Sequence, residues 1–147
     1  MPDDWRLRRA RWDRPADRAA LMAVRRQVFI DEQGVPEALE WDDADARAIH
    51  LLAETRQGQP VGTARLLPDG QIGRMAVLPP FRRRGIGRAL LQAALDAARQ
   101  SGLTEVWLHA QTHALPFYRH AGFHPEGPEF TEAGIPHRRM RRSLRDG

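Results

Sequence analysis

Residues 71–101 read QIGRMAVLPPFRRRGIGRALLQAALDAARQS. In the first part, Ile72, Arg74, Ala76 and Leu78 share one face, while Met75 and Val77 share the other, the period of a β-strand. Pro79 and Pro80 end it, because proline donates no ladder hydrogen bond and biases its predecessor away from helix. From Ile86 the spacing changes to Ile86, Leu90, Leu91, Ala94, Leu95 and Ala98, one stripe of an amphipathic helix that Gly102 stops. Between strand and helix lies Phe81-Arg82-Arg83-Arg84-Gly85-Ile86-Gly87-Arg88. A helix N-terminus offers free amide donors and a positive dipole end, glycines let an anion reach the backbone, and arginines add charge-assisted donors. The junction is built for a phosphate, and a pyrophosphate fits it best.

Three phosphate loops compete for this reading. A Walker loop needs a lysine after its last glycine, and the chain contains no lysine. A Rossmann fingerprint needs a third glycine where Leu90 stands. The third pattern, Arg82-x-x-Gly85-x-Gly87, resembles the R/Q-x-x-G-x-G/A motif of the GNAT superfamily of N-acetyltransferases. Further segments share the resemblance in order. Ile72–Val77 looks like the family's central strand, and Phe117-Tyr118-Arg119-His120-Ala121-Gly122-Phe123 like its "FY…GF" segment. Gln27–Pro36 and Phe130–His137 (FTEAGIPH) resemble the small bacterial ElaA-like branch. Together these cover residues 20 to 143.

The rest of the composition bounds the class. At 147 residues the chain is read as one domain over 1–147, with 41% hydrophobic and 29% charged residues, ordinary for a globular protein. No apolar run approaches a membrane span and no signal peptide is read, so a cytoplasmic location is expected and no membrane partner. The absence of cysteine excludes a disulfide framework and a thiol nucleophile. All 23 basic residues are arginine at a net charge of only +4, with 19 acids interspersed. Arg82–Arg84 and Arg138–Arg142 could form nucleic-acid patches, but no recognition motif accompanies them, and nucleic acid is not expected as the partner.

Along the chain, a first strand is expected at Trp5–Arg11, then a helix from Pro15 to about Asp31 with Leu21, Val24, Val28 and Ile30 inward. Gly34 and Pro36 break it. His50–Thr55 and Pro60–Leu67 read as a hairpin, so three antiparallel strands precede the central one. Thr104–Ala110 reads as a strand parallel to it, since a strand-helix-strand crossover of this length implies parallel pairing. Thr112–Ala121 is expected to be a short helix capped by Thr112 or His113. Phe123–Leu144 reads as irregular until a last strand at His137–Leu144, at the far side of the sheet. The whole is a mixed α/β sheet of six to seven strands, mostly antiparallel around a central parallel pair, with about four helices.

Asp31, Glu32, Glu37, Glu40, Asp42, Asp43 and Asp45 form an acidic stretch around Trp41. Two readings stay open: a solvated loop, or an electronegative wall that attracts a cationic amine. The His109-x-x-x-His113 and His120-x-x-x-His124 spacings raise metal binding, but each pair straddles an element boundary without cysteine company, and no metal is expected.

The resemblance implies an acyl-CoA N-acyltransferase fold, acetyl-CoA as co-substrate and an amine-bearing acceptor; dimerisation is common in the family. It implies direct acetyl transfer without a covalent enzyme intermediate. It places the cofactor on the backbone of Met75, Ala76 and Val77 and on Arg82, Arg83, Arg84, Gly85, Ile86, Gly87 and Arg88. Tyr118 matches the family's general acid and borders the cofactor together with Phe117, which lies about 100° round the helix and is read as core. Glu32, His109, Glu132 and His137 all qualify as general base by residue type, and the sequence does not choose among them.

Overall fold

The computed structural model describes residues 4–145, so both ends of the unit read over 1–147 lie outside the described residues. Strands β1 (Trp5–Ala10), β2 (Ile49–Thr55), β3 (Pro60–Leu66) and β4 (Ile72–Val77) form an antiparallel sheet in that order. Strands β5 (Glu105–Gln111), β6 (His124–Glu132) and β7 (Ile135–Ser143) form a second antiparallel sheet ordered β5-β7-β6. Nearly every residue of β2 and β3 is buried, because helices cover both faces of the first sheet. On one side Leu52 packs with Leu21 of α1 (Pro15–Arg25). On the other lies α3 (Ile86–Gln100), whose stripe of Ile86, Leu90, Leu91, Ala94, Leu95 and Ala98 is almost wholly buried. Each of its leucines contributes about 2 kcal/mol by leaving water. Gly62 makes that approach feasible: a Cβ there would meet Leu90 Cδ1 at 3.0 Å and Ile86 Cγ2 at 3.1 Å.

The expected parallel pair is present only as a single bridge, Gln71 with Trp107, whose N–H donates to Gly70 O at 3.1 Å. Beyond it β5 turns its full length to β7, and β4 keeps β3 alone. The sheet therefore splits between β4 and β5. A bulge opposite Thr63–Arg65, with Arg74 at φ +48°, bends β4 at the split.

Four sequence expectations are corrected. The helix from Pro15 does not run regularly to Asp31: α1 ends at Arg25 and Arg26–Glu32 widens into π turns, with Gln33 N–H donating to Val28 O at 3.0 Å. Neither Thr112 nor His113 caps a helix; Thr112–Ala114 is a 3₁₀ turn, and α4 (Leu115–His120) starts after Ala114 without a side-chain cap. Residues 123–134 are not irregular but carry β6. Its Pro125 and Pro128 are tolerated because an edge strand need not donate outward. The last strand, β7, consequently lies in the middle of its sheet and not at the far side. After the π segment, α2 (Glu37–Glu40) is a single turn, and a 3₁₀ stretch at Asp43–Arg47 follows it before β2.

Candidate active site

The split between β4 and β5 opens a cleft of about 1450 Å³, lined by β4, the turn after it, the π segment, α4 and the β6–β7 turn. Along the edge that faces β5, most of β4 has no strand partner among the described residues, so an extended molecule can pair with its backbone. Met75, Ala76 and Val77 all lie on that cleft. At the carboxyl end of β4 the chain turns through Arg83 (φ +65°) and Gly85 (φ +86°) into α3. Gly85 is the N-cap, a left-handed position that suits glycine. The first intrahelical bond runs from Ala89 N–H to Gly85 O, leaving the amides of Ile86, Gly87 and Arg88 without intrahelical acceptors. Arg83, Gly85, Ile86, Gly87 and Arg88 line the cleft, so this end presents amide donors, a helix dipole and guanidinium groups together.

Two of the arginines behave differently. Arg82 lines the cleft but is held by Glu32 through Nη2–Oε1 at 2.6 Å and Nη1–Oε2 at 2.8 Å, and its Nε donates to Val77 O at 2.8 Å. Arg84 is not among the cleft-lining residues: its guanidinium lies 5.2 Å over the Phe81 ring and 3.8 Å from Asp4.

Tyr118 sits on α4 with its hydroxyl 3.6 Å from Met75 Sδ, at the middle of the cleft-lining strand. Burial pushes its phenol up to about 12, so the hydroxyl stays protonated across the physiological range. Phe117 is not a core residue. It is 39% exposed, meets the Tyr118 ring edge-on at 5.0 Å and shares the cleft with Gly87.

Three of the four base candidates come together. His109 Nδ1 donates to Glu132 Oε1 at 3.0 Å, and Glu132 Oε2 lies 3.9 Å from His137 Nε2. Phe130 stacks on His137 and meets His109 edge-on, which fixes both imidazoles. The fourth, Glu32, is placed elsewhere; its hydrogen bonds from Arg82 hold its carboxyl below the usual range, which makes it a poor base. His113 engages Gln111 at 2.7 Å, and among the described residues no group of three or more His, Asp or Glu is arranged to hold a metal.

Residues 15–144 match the family model described as acetyltransferase (GNAT) domain. This chain belongs to the GNAT acetyltransferase family. It is 36% identical to the YyaT protein of Bacillus subtilis over 135 residues, covering 88% of this chain and 90% of that one. A solved acyl-CoA N-acyltransferase from Pseudomonas aeruginosa superposes with a TM-score of 0.80 at 35% identity, over 95% of this chain and 98% of that one. Escherichia coli ElaA superposes with a TM-score of 0.83 at 28% identity, over 94% and 99% of the two chains.

In this GNAT protein the acidic stretch divides: Glu40 and Asp45 are buried among arginines, while Asp31, Glu32, Glu37, Asp42 and Asp43 are exposed. Arg25, 1% exposed, binds Glu40 Oε2 through Nε at 2.7 Å and Asp45 Oδ1 through Nη1 at 2.8 Å. Arg65 reaches Asp42 and Asp45 at 2.8 and 3.0 Å, and Arg74 reaches Glu40 and Asp42 at 3.2 and 3.3 Å. Glu40, Asp42 and Asp45 thereby hold α2 and the following turn against β3 and β4. Sequence reading missed this network; the available signal was Arg25, which falls on the apolar face of α1 one residue after Val24. It also missed Gln33, whose Oε1 accepts from Gln111 Nε2 at 2.9 Å and so links the π segment to β5.

Proposed function

We propose that this protein is an acetyl-CoA-dependent N-acetyltransferase that moves the acetyl group directly from the thioester to a primary amine. The observation that carries this reading is the half-buried Tyr118, its hydroxyl 3.6 Å from Met75 Sδ, on the strand whose free edge leads into the glycine turn. A pantetheine arm paired along Met75–Val77 directs its pyrophosphate to the amides of Ile86, Gly87 and Arg88 and to Arg83. Its sulfur then falls where β4 passes Tyr118. Tyr118 gives its proton to the departing thiolate, a backbone amide of β4 polarises the acetyl carbonyl, and the cleft supplies positioning. The description of the Pseudomonas relative as an acyl-CoA N-acyltransferase supports the same co-substrate.

The test is calorimetry with acetyl-CoA and free coenzyme A on the wild type and on an Arg83→Glu, Gly87→Glu double variant, followed by thiol release with a panel of primary amines. Binding by the wild type alone is expected. A Tyr118→Phe variant should bind coenzyme A normally and lose turnover about a hundredfold. Full turnover by that variant removes Tyr118 from the mechanism, and no binding by the wild type overturns the reading.

A further inference from the structure

Four carboxylates line the cleft: Glu32, Glu40, Asp42 and Glu132. Three are matched to arginine: Glu32 with Arg82, Glu40 with Arg25 and Arg74, and Asp42 with Arg65 and Arg74. Glu132 is the exception among the described residues. Its partners are two histidines, and its Oε2 stands 3.9 Å from His137 Nε2, too far for a direct hydrogen bond but close enough for one nitrogen, set to the side of their line, to hydrogen-bond both.

The neighbouring bonds fix what each atom offers. His137 Nδ1 lies 2.7 Å from the backbone oxygen of Ile135, which can only accept, so the proton of the neutral ring sits on Nδ1. Nε2 is then left as an acceptor with no hydrogen-bond partner among the described residues, on a side chain that is more than nine-tenths buried and lines the cleft. His109 Nδ1–H donates to Glu132 Oε1 and orients the carboxylate from the other side. His109, Gln111, Glu132 and His137 line the same cleft as Gly73, Arg74 and Met75, and His137 pairs with Gln111. The cluster therefore faces the stretch of β4 that Tyr118 also reaches.

We infer that the gap between Glu132 Oε2 and His137 Nε2 is the ammonium subsite of the acceptor, with Glu132 binding a primary alkylammonium and His137 taking its proton. The assignment rests on the acyl-transfer reading for its chemistry. The R–NH₃⁺ group donates to both atoms, and one proton passes to His137 Nε2 and on to solvent. The freed lone pair forms the nitrogen–carbon bond as the carbon–sulfur bond breaks. The second proton lost by nitrogen replaces the one that Tyr118 gives to sulfur, so the products are the amide, the free thiol and one released proton. His109 is a positioning residue that acts through Glu132.

The binding arm uses n-butylammonium chloride as the probe, followed by nitrogen-15 NMR of the histidine rings, on wild type, Glu132→Gln and a control Glu129→Gln on the same hairpin. Saturable shifts at His137 and His109 are expected in the wild type and control, and affinity at least about tenfold weaker in Glu132→Gln. No saturable shift in the wild type, or an equal one in Glu132→Gln, overturns the subsite. The kinetic arm uses acetyl-CoA with the best amine of the panel. Glu132→Gln should raise KM about tenfold with a smaller effect on kcat, and His137→Asn should lower kcat about a hundredfold with little effect on KM. Unchanged kcat in His137→Asn overturns its role as base. Calorimetry with acetyl-CoA separates the two readings, since Glu132→Gln should leave that affinity as it is. A wild type that binds butylammonium but not acetyl-CoA would sink the transferase and keep the subsite.

Discussion

Glu32 and Arg82, fifty positions apart, are joined by a two-pronged ion pair of 2.6 and 2.8 Å that ties the π segment to the turn before α3. The pair sets a carboxylate beside the place where a pyrophosphate would lie. Arg82 keeps its own anchor on Val77 O, so it does not need Glu32 to stay on β4. Glu32→Gln should therefore raise the local positive charge without releasing the arginine. Coenzyme A affinity is expected to rise roughly threefold at low salt and to return toward wild type at high salt, where the added field is screened. Calorimetry at two salt concentrations checks this; weaker binding at both would show that Glu32 positions Arg82 for the ligand.

Gly85 and Gly87 serve the turn in different ways, and substitution should separate them. Gly85 holds φ +86° in the N-cap and faces open space, so a methyl group there adds left-handed strain of about 1 kcal/mol and intrudes on the cleft. Gly87 is already helical, and a Cβ there would meet the Phe117 ring at an ordinary 3.7 Å. Gly87→Ala should stabilise the protein by about 0.5–1 kcal/mol through lower chain entropy in the unfolded state, at little loss of affinity. Gly85→Ala should lower both. Thermal melts with and without coenzyme A distinguish the two variants.

Burial pushes Tyr118 to about 12, two units above an ordinary phenol at 10. A general acid works only while protonated, so activity should show no alkaline loss from Tyr118 until well above pH 10. A rate profile that instead falls near pH 10 would mean that Tyr118 is solvated during turnover, or that another group is the acid.

The parts of the fold that follow from local chain chemistry were legible. The stripe from Ile86 to Ala98, the alternation in residues 71–78 and 104–110, and the glycine turn all announce themselves within a few residues. The cleft's second half does not. Glu132, His109 and His137 meet only because β7 pairs with β5 on one edge and β6 on the other, and β6 carries no apolar alternation to reveal it. Phe117 misled because a helix position adjacent to a packed tyrosine turns toward the cleft when α4 is only six residues long. The pairing of Glu40, Asp42 and Asp45 was not legible because their partners, Arg25, Arg65 and Arg74, lie on three other elements.

Arg25 carries the largest stability consequence in that network. It is buried, and its guanidinium donates to Glu40 Oε2, Glu40 O and both oxygens of Asp45. Removing it leaves two buried carboxylates short of their main counter-charge. Arg25→Ala should cost about 3–5 kcal/mol, and Arg25→Lys a large part of that, because one ammonium cannot reproduce the fork. Urea unfolding measures both; a loss below 1 kcal/mol in Arg25→Ala would show that Arg65 and Arg74 take over its role.

The same network sets how the protein should respond to acid. His50 is 2% exposed, stacks on Trp12 at 5.1 Å and donates from Nε2 to the backbone oxygen of Asp45 at 2.8 Å. Burial pulls its pKa below the ordinary 6.5; the bond to the Asp45 backbone oxygen and then the Asp45 carboxylate oppose the shift, and the charges of Arg25 and Arg65 add to it. The unfolded chain therefore binds a proton near pH 6.5 that the folded chain refuses, and stability should fall as pH drops below that value, by at most about 1.4 kcal/mol per unit for this one group. Asp45 and Asp17 act later, while Glu40, which burial pushes above its ordinary 4.5, acts in the opposite sense. Burial pushes Asp45 up, but hydrogen bonds and charge from Arg25 and Arg65 leave it below 3.8, and Arg8 holds Asp17 below the same value. Their stabilisation is present above that ordinary value and is lost only as pH falls through it toward their folded values. Melting temperature against pH should thus show two successive losses in the wild type, while His50→Gln should lack the upper one. Parallel curves for the two proteins between pH 7 and 5 would show that His50 titrates alike in the folded and unfolded chains, and that acid reaches the network first through its carboxylates.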